Sequence, residues 1–121
     1  MLAIRHKGRK LDIADYKELS PIGKITGLMF KTKNTENLLF SFKKDVKMGI
    51  HSYFVFFPFL AIWLNEENKV LEYKIVNPFI PFIKPKKAFR KLIEVPFNRR
   101  NIKIIRFFVG KERFKYKRLQ V

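Results

Sequence analysis

The chain has 121 residues, a formal net charge of +17, 47% hydrophobic residues and no cysteine. This length and apolar content exclude a disordered chain and predict a single domain over residues 1–121. The absence of cysteine excludes disulfides, thiolate zinc sites and thiol catalysis.

The N-terminal third predicts a hairpin followed by a short helix. Residues 2–5 and 10–13 flank Lys7-Gly8-Arg9, which is typical of two short strands joined by a tight turn. Ser20 is a good helix N-cap and Pro21 suits the first helical turn, so a helix is expected to run to about Met29.

The middle of the chain predicts four strands from alternating or continuously apolar runs: residues 38–42, 51–57, 59–64 and 70–76. Pro58 separates the second run from the third, because proline donates no amide hydrogen to a sheet. The polar residues 65–68 predict the turn of a hairpin between the last two strands.

The C-terminal part begins with a loop over residues 77–85, which contain three prolines. Three strands are then predicted, over residues 88–95, 102–109 and 112–119, with Gly110-Lys111 as the turn between the last two. Many short strands at this spacing indicate a mainly β fold, either a β-sandwich or a small barrel with one short helix.

The location of the protein is predicted from its apolar runs. The longest of these, residues 53–64, spans twelve residues, whereas a membrane-spanning helix needs about 20. The first residues carry a charge at Arg5 and no apolar run after it, unlike a secretory signal. A soluble, cytoplasmic protein is therefore expected.

The positive charge is concentrated towards the C-terminus. Residues 34–83 have no net charge, whereas residues 84–118 carry 14 Lys and Arg against two Glu, a net charge of +12. A polyanion such as nucleic acid is the natural partner of such a surface. The candidate binding residues are Arg99, Arg100, Lys103, Arg106, Lys111, Arg113, Lys115, Lys117 and Arg118. A solvated coat that only raises solubility is the alternative.

Aromatic residues interleave with these cations. Phe107 and Phe108 lie within the first predicted basic strand, and Phe114 and Tyr116 alternate with cations in the second. Exposed aromatic rings stack on nucleic-acid bases, whereas buried rings leave only the cations at the surface. The second arrangement predicts binding that is sensitive to salt and independent of base sequence.

Two other classes of function stay open. A small enzyme or ligand-binding protein would use a pocket at His51 and Tyr53 beside the proline-rich loop, with the imidazole titrating near neutral pH. An interaction protein would form a homodimer through an edge strand such as residues 102–109. No metal site or cofactor is expected, since two histidines, scattered acids and five isolated glycines match no known ligand spacing.

Several short segments occur together in one order. They are Gly27-Leu28-Met29-Phe30, Leu39-Phe40 with Phe42, Ile50-His51-Ser52-Tyr53-Phe54, Phe57-Pro58, the apolar strand to Leu64 with its turn into Lys69-Val70, and residues 88–96. In this order they resemble the prokaryotic family called domain of unknown function one-nine-two, over residues 20–97. The resemblance implies a small, soluble protein with a β-sandwich-like fold and assigns no activity, and it leaves a basic strand pair over residues 98–121 outside the family-like core.

Three departures from that family concern polar residues. Members usually carry Met and then a basic residue where this chain has Val55 and Phe56, and Asp where it has Leu60. A Gly-Asp pair usual near the end of the domain is absent from this sequence. A polar site built from those residues in the family is therefore not expected here.

Overall fold

The described residues form two β-sheets and one helix. The computed structural model describes residues 1–19 and 27–113, the last three by their backbone only. The elements are β1 Leu2–His6, β2 Arg9–Ile13, β3 Lys17–Leu19, β4 Leu38–Val46, β5 Phe59–Leu64, β6 Val70–Val76, β7 Phe89–Pro96, a 3-10 turn Arg99–Asn101 and α1 Ile102–Arg113. β1 and β2 pair with each other, and the other five strands form one sheet in the order β3-β4-β7-β5-β6. The predicted mainly β fold with one short helix is confirmed.

The centre of the larger sheet is β7, which comes last in sequence. Ile93 of β7 lies opposite Leu39 of β4 on one side and Ile62 of β5 on the other, both in antiparallel register. Only β3 runs parallel to its neighbour, β4. β3 and β6 remain edges, so the described strands form an open sheet rather than a closed barrel.

One face of this sheet, the hairpin face, is covered by the β1–β2 hairpin and by α1. Successive strand residues point to opposite faces, so Leu60, Ile62 and Leu64 all reach this side, where they join one buried cluster with Ile4 of β1 and Ile105 of α1. Apolar burial of this kind is the main stabilising contribution to folding. Two regular layers therefore meet here, as in a β-sandwich.

The opposite face, the loop face, is covered by irregular segments. Trp63 of β5, Phe40 of β4 and Phe89 of β7 are fully buried there. They pack with Leu28 and Val55, which belong to loops. The connections between strands thus supply the layer that covers this face.

The strand predicted at residues 51–57 is wrong. The amide of Val55 donates to the carbonyl of Ser52 at 3.1 Å, which closes a turn. Phe54 has a φ of 59°, which no strand residue adopts. A continuous apolar run has no periodicity that separates a strand from a buried loop, and these residues cover the core instead of entering the sheet.

The strand predicted at residues 102–109 is also wrong, because these residues begin α1. Asn101, Ile104, Ile105 and Phe108 are buried, a spacing of 3, 1 and 3 residues that follows one helix face. The β-branched isoleucines favoured a strand, and packing against the hairpin face overrides that propensity. The homodimer expected through an edge strand at residues 102–109 therefore has no strand there through which to form.

The remaining predictions have mixed outcomes. The N-terminal hairpin, the strands at residues 38–42, 59–64, 70–76 and 88–95 and the turn at residues 65–68 are confirmed within a few residues. The hairpin turn at Gly110-Lys111 is wrong, since both residues lie in α1, which kinks at Gly110.

Two other predicted elements fall mostly on residues that the structure leaves undescribed. The helix predicted after Ser20 lies there except for its end, and Gly27 to Phe30 form a turn. The strand at residues 112–119 lies there beyond Arg113, where α1 ends. No helix within residues 1–19 or 27–113 combines the length and apolar content needed to cross a membrane.

Candidate anion-binding site

A tight turn places cations at the tip of the β1–β2 hairpin. Lys7 and Gly8 connect the strands, and both have positive φ, 51° and 77°. Two left-handed residues in a two-residue loop match the twist of the strands they join. The turn leaves Lys7 and Arg9 exposed on either side of Gly8.

The turn between β5 and β6 brings a further cation to the hairpin. The amide of Arg5 donates to the carbonyl of Asn68 at 3.0 Å, and Arg5 lies beside Lys69 in a parallel bridge. Lys69 therefore joins a surface that is more than 50 residues away from it in the sequence.

A cavity of about 520 Å³ lies between these two turns. Its volume is within the range of small-ligand pockets. All eight residues that line it are described, and none of them is acidic; the charged or ionisable ones are Arg5, His6, Lys7, Arg9, Lys10 and Lys69. Like charges in one concave wall focus a positive potential into it, so the cavity is suited to an anion.

His6 lines this cavity and packs against two aromatic rings. Its ring lies 5.7 Å from that of Tyr73 and 5.5 Å from that of Phe108, measured between centroids. Burial, and then the charges of Lys7 and Arg9, lower the pKa of His6 below its ordinary value of 6.5. The imidazole is therefore neutral at pH 7, and the positive charge of the cavity comes from lysine and arginine alone.

A second cavity, of about 330 Å³, adjoins the first. It shares His6, Lys7 and Arg9 with it and extends to Arg106 and Phe107 of α1. The guanidinium of Arg9 sits 4.5 Å above the ring of Phe107, a cation–π contact that joins the hairpin to the helix. The two cavities form one cationic surface that runs from the hairpin tip to α1.

Asn98 caps the 3-10 turn that leads into α1. Its side-chain oxygen accepts from the amide of Asn101 at 3.1 Å, and its amide nitrogen donates to the carbonyl of Lys33 at 2.8 Å. At the other end, the Tyr73 hydroxyl donates to the carbonyl of Phe108 at 3.0 Å. The helix is thus held against the sheet with its cationic side outward.

Four of the nine predicted polyanion-binding residues have described side chains, and all four are exposed: Arg99, Arg100, Lys103 and Arg106. They lie on the 3-10 turn and α1 rather than on a strand. Lys111 and Arg113 are described by their backbone in α1 only, and Lys115, Lys117 and Arg118 lie outside the described residues.

Arg100 has a local structural role. Its guanidinium donates to the carbonyls of Asn34 and Thr35 and lies 3.6 Å from the carboxylate of Asp15. These contacts tie the loop before β4 to the start of α1. The guanidinium of Arg100 is therefore engaged in contacts within the fold.

His51 and Tyr53 lie on the loop face, remote from the cationic cavities. Both are exposed, and the Nδ1 of His51 accepts from the amide of Tyr53 at 3.2 Å. A cavity of about 310 Å³ beside the proline-rich loop is lined by residues that include Lys74, Ile80 and Phe82, and by neither His51 nor Tyr53. The pocket at His51 stays a prediction.

Comparison with known proteins supports the fold and assigns no activity. No family model matches the sequence, and no curated protein matches it. Two solved structures are similar to it. A protein of unknown function from Novosphingobium aromaticivorans matches 67% of this chain at 14% identity with a TM-score of 0.59, and this chain spans 61% of that protein.

The second similar structure comes from Sinorhizobium meliloti and is described as a "putative transcription regulator". It matches 78% of this chain, which spans 76% of it, at 15% identity with a TM-score of 0.65. At these identities the likeness extends to the fold alone.

The residues at the hairpin tip are the part of the site that sequence reasoning missed. Arg5, Lys7, Arg9, Lys10 and Lys69 belong to segments of the chain with less charge than the C-terminal third. The available signal was the alternation of cations around Lys7-Gly8.

A buried carboxyl group lies on the loop face. Glu94 of β7 is opposite Leu38 and Ala61, and burial raises its pKa from 4.5 to about 7. Its Oε1 has no hydrogen-bond partner among residues 1–19 and 27–113 and faces Gly27, where a Cβ would come within 2.5 Å of it. Within the described residues, no three His, Asp or Glu side chains come together as a metal site would require.

Proposed function

We propose that this protein is a non-catalytic binding module for a polyanion, with the phosphates of nucleic acid as its ligands at the hairpin tip. The observation that carries the proposal is the cavity of about 520 Å³ lined by five lysines and arginines and no acid. Its neighbouring cavity extends the positive surface to α1, which suits a ligand that carries several anionic groups in a row.

The expected binding is electrostatic. Each phosphate that a lysine or arginine neutralises releases condensed counterions, so affinity falls steeply as salt rises. Contacts to phosphates fix the position of a nucleic acid and carry no information about its bases. The nearby rings of His6, Tyr73 and Phe108 pack on one another, which favours backbone contacts over base stacking.

The comparison with the Sinorhizobium meliloti structure supports this proposal in general terms. Transcription regulators act on nucleic acid, and that structure has the same fold over most of both chains. The ligand class proposed here rests on the cations of this chain.

The test measures fluorescence anisotropy of a labelled single strand and a labelled duplex, at about 50 and about 150 mM salt. The variant replaces Lys7, Arg9 and Lys69 by serine. The matched control replaces Lys17, Lys43 and Lys44 by serine, which removes the same charge from exposed positions on β3 and β4.

The hairpin variant is expected to lower the slope of log affinity against log salt by about 2 to 3, since three phosphate contacts contribute about 0.9 each. The control is expected to retain the wild-type slope. Equal losses in the two variants would show that only net charge matters, and an unchanged hairpin variant would refute the site.

A further inference from the structure

Four phenylalanine side chains form an exposed patch on the loop face. Phe30, Phe54, Phe56 and Phe79, here called the phenylalanine patch, are 69%, 49%, 59% and 49% exposed. Large apolar side chains in such a cluster are unfavourable in water, and contiguous patches of this kind mark interaction surfaces.

The four rings contact one another in a continuous series. Phe30 and Phe54 are stacked with centroids 5.0 Å apart and an interplanar angle of 18°. Phe79 meets Phe54 edge to face at 6.4 Å and Phe56 at 5.3 Å. The patch is therefore one apolar surface built from three separate loops.

Three of these residues also have an unusual backbone conformation. Phe30, Phe54 and Phe79 have φ values of 62°, 59° and 61°, in the left-handed region that bulky residues rarely adopt. Asn or Gly would occupy the same positions with less strain. The sequence keeps phenylalanine where it is unfavourable for both the backbone and the solvent, a combination found at functional surfaces.

Buried Ser52 holds two of the three loops in place. Its hydroxyl donates to the carbonyl of Asn77 at 2.7 Å and accepts from the amide of Ile80 at 2.6 Å, and its carbonyl accepts from the amide of Phe79 at 2.9 Å. The amide of Phe30 donates to the carbonyl of Phe54 at 2.9 Å, which attaches the third loop. The patch is therefore preorganised.

The loops that carry the patch have a net positive charge. The described parts of these loops, residues 27–37, 47–58 and 77–88, contain one acid, Glu36, and the side chain of Glu72 in β6 accepts from the amide of Lys86. The same loops contain six lysines: Lys31, Lys33, Lys47, Lys84, Lys86 and Lys87. An apolar patch among cations complements a surface that is apolar inside and anionic at its boundary.

We propose that the phenylalanine patch docks on an anionic lipid bilayer, with its rings inserted among the headgroups and its lysines on the acidic lipids. Insertion of apolar side chains and attraction of lysines are the two contributions that hold peripheral proteins on membranes. A nucleic acid fits less well, because Phe30 and Phe54 already occupy one face of each other's ring and the four side chains carry no hydrogen-bonding group.

This surface is separate from the cationic cavities. The loops that carry it pack on the loop face through residues such as Val55 and Ile80, and the cavities lie on the hairpin face. Each surface can therefore be altered without the other, and failure of one proposal is distinguishable from failure of the other.

The first experiment measures co-sedimentation of the full chain with vesicles of phosphatidylcholine, alone or with about 30% phosphatidylserine. The wild type is expected to bind the anionic vesicles at least tenfold more tightly. The variant that replaces Phe30, Phe54 and Phe79 by asparagine is expected to lose that binding and to stay folded, because asparagine tolerates a positive φ.

Two charge variants test the orientation. Replacing Lys84, Lys86 and Lys87 by serine removes lysines from the loop that carries Phe79, with an expected loss of about fivefold for each one that lies near the lipid surface. The hairpin variant Lys7→Ser, Arg9→Ser, Lys69→Ser removes equal charge from the opposite face and is expected to retain most vesicle binding.

A reporter variant, Phe56→Trp, tests insertion directly. Trp63 is fully buried, so any shift of emission to shorter wavelength on adding anionic vesicles reports on position 56. An unshifted spectrum, or vesicle binding that survives the triple asparagine variant, would overturn the proposal.

Two further results would show that the phenylalanine patch binds another partner instead of lipid. Loss of nucleic-acid binding in the triple asparagine variant would identify the patch as a base-stacking surface. A wild-type dimer that the same variant converts to a monomer would identify it as an interface between two copies of the chain.

Discussion

The two faces of the five-stranded sheet bury similar apolar surfaces and use different means to cover them. The hairpin face has regular elements whose periodicity turns apolar side chains inward and cations outward. The loop face has irregular segments, and these leave the four rings of the phenylalanine patch and also Phe82 exposed. The rings that interleave with cations in the sequence, Phe107 and Phe108, stay beside those cations on the hairpin face, whereas the exposed rings of the phenylalanine patch come from the loops of the other face.

The largest expected effect comes from neighbouring residues that point to opposite faces. Ile62 and Trp63 are both fully buried. Ile62→Ala is expected to lower the free energy of unfolding by about 2–5 kcal/mol, because it leaves a cavity under the hairpin.

Trp63→Phe is expected to lower the same free energy by only about 1–2 kcal/mol, since it also removes an indole N–H that has no hydrogen-bond partner in the described part of the chain. Urea denaturation followed by circular dichroism gives both values. Equal losses would mean that the loop face is packed as tightly as the hairpin face and that the indole N–H is satisfied.

Glu94, on the loop face, is expected to make the free energy of unfolding depend on pH. Its pKa is about 7 in the folded protein and 4.5 is the ordinary value, so folding favours the protonated form. Its contribution to stability is fully present below pH 4.5 and is lost as the pH rises through 7. The difference between the two pKa values corresponds to about 3 kcal/mol.

Glu94→Gln stays neutral at every pH and therefore removes this dependence. The difference in unfolding free energy between the variant and the wild type is expected to grow by about 3 kcal/mol between pH 4.5 and pH 8 in favour of glutamine. Urea denaturation at several pH values measures it, and a difference independent of pH would contradict a raised pKa.

The smallest expected effect concerns the strained backbone of the phenylalanine patch. Phe79→Asn replaces a bulky residue at a φ of 61° and is expected to raise the free energy of unfolding by about 0.5 kcal/mol. Phe56→Asn is the matched control, because Phe56 belongs to the same patch and is not among the residues with positive φ. If both variants raise the free energy of unfolding, the cause is the removal of an exposed apolar side chain and not the relief of backbone strain.

The strands of the larger sheet could be predicted where alternation or turns are clear. The hairpin of β5 and β6 has a polar turn and alternating residues, and both features act over a few neighbouring positions. The three-residue strand β3 has no such pattern, since it exists through its parallel pairing with β4. A short strand that forms only through pairing with a distant segment cannot be predicted from its own residues.

The candidate site shows the same limit. The count of lysines and arginines predicted a cationic surface, and Arg99, Lys103 and Arg106 are exposed as expected. The cavity itself depends on Arg5 meeting Lys69, a contact that no local pattern encodes. The single domain, the family resemblance over residues 20–97 and the pocket at His51 stay predictions.

The central position of β7 has a consequence for the order of folding. β4 and β5 do not pair with each other, because β7 lies between them and bonds to both. During synthesis β4 and β5 therefore leave the ribosome before residues 89–96, and the edges that β7 covers in the folded sheet stay unpaired until it arrives. Such edges recruit strands from other chains. A nascent chain that ends just before β7 is therefore expected to be the most prone to aggregate. A chaperone would protect the chain most at that length.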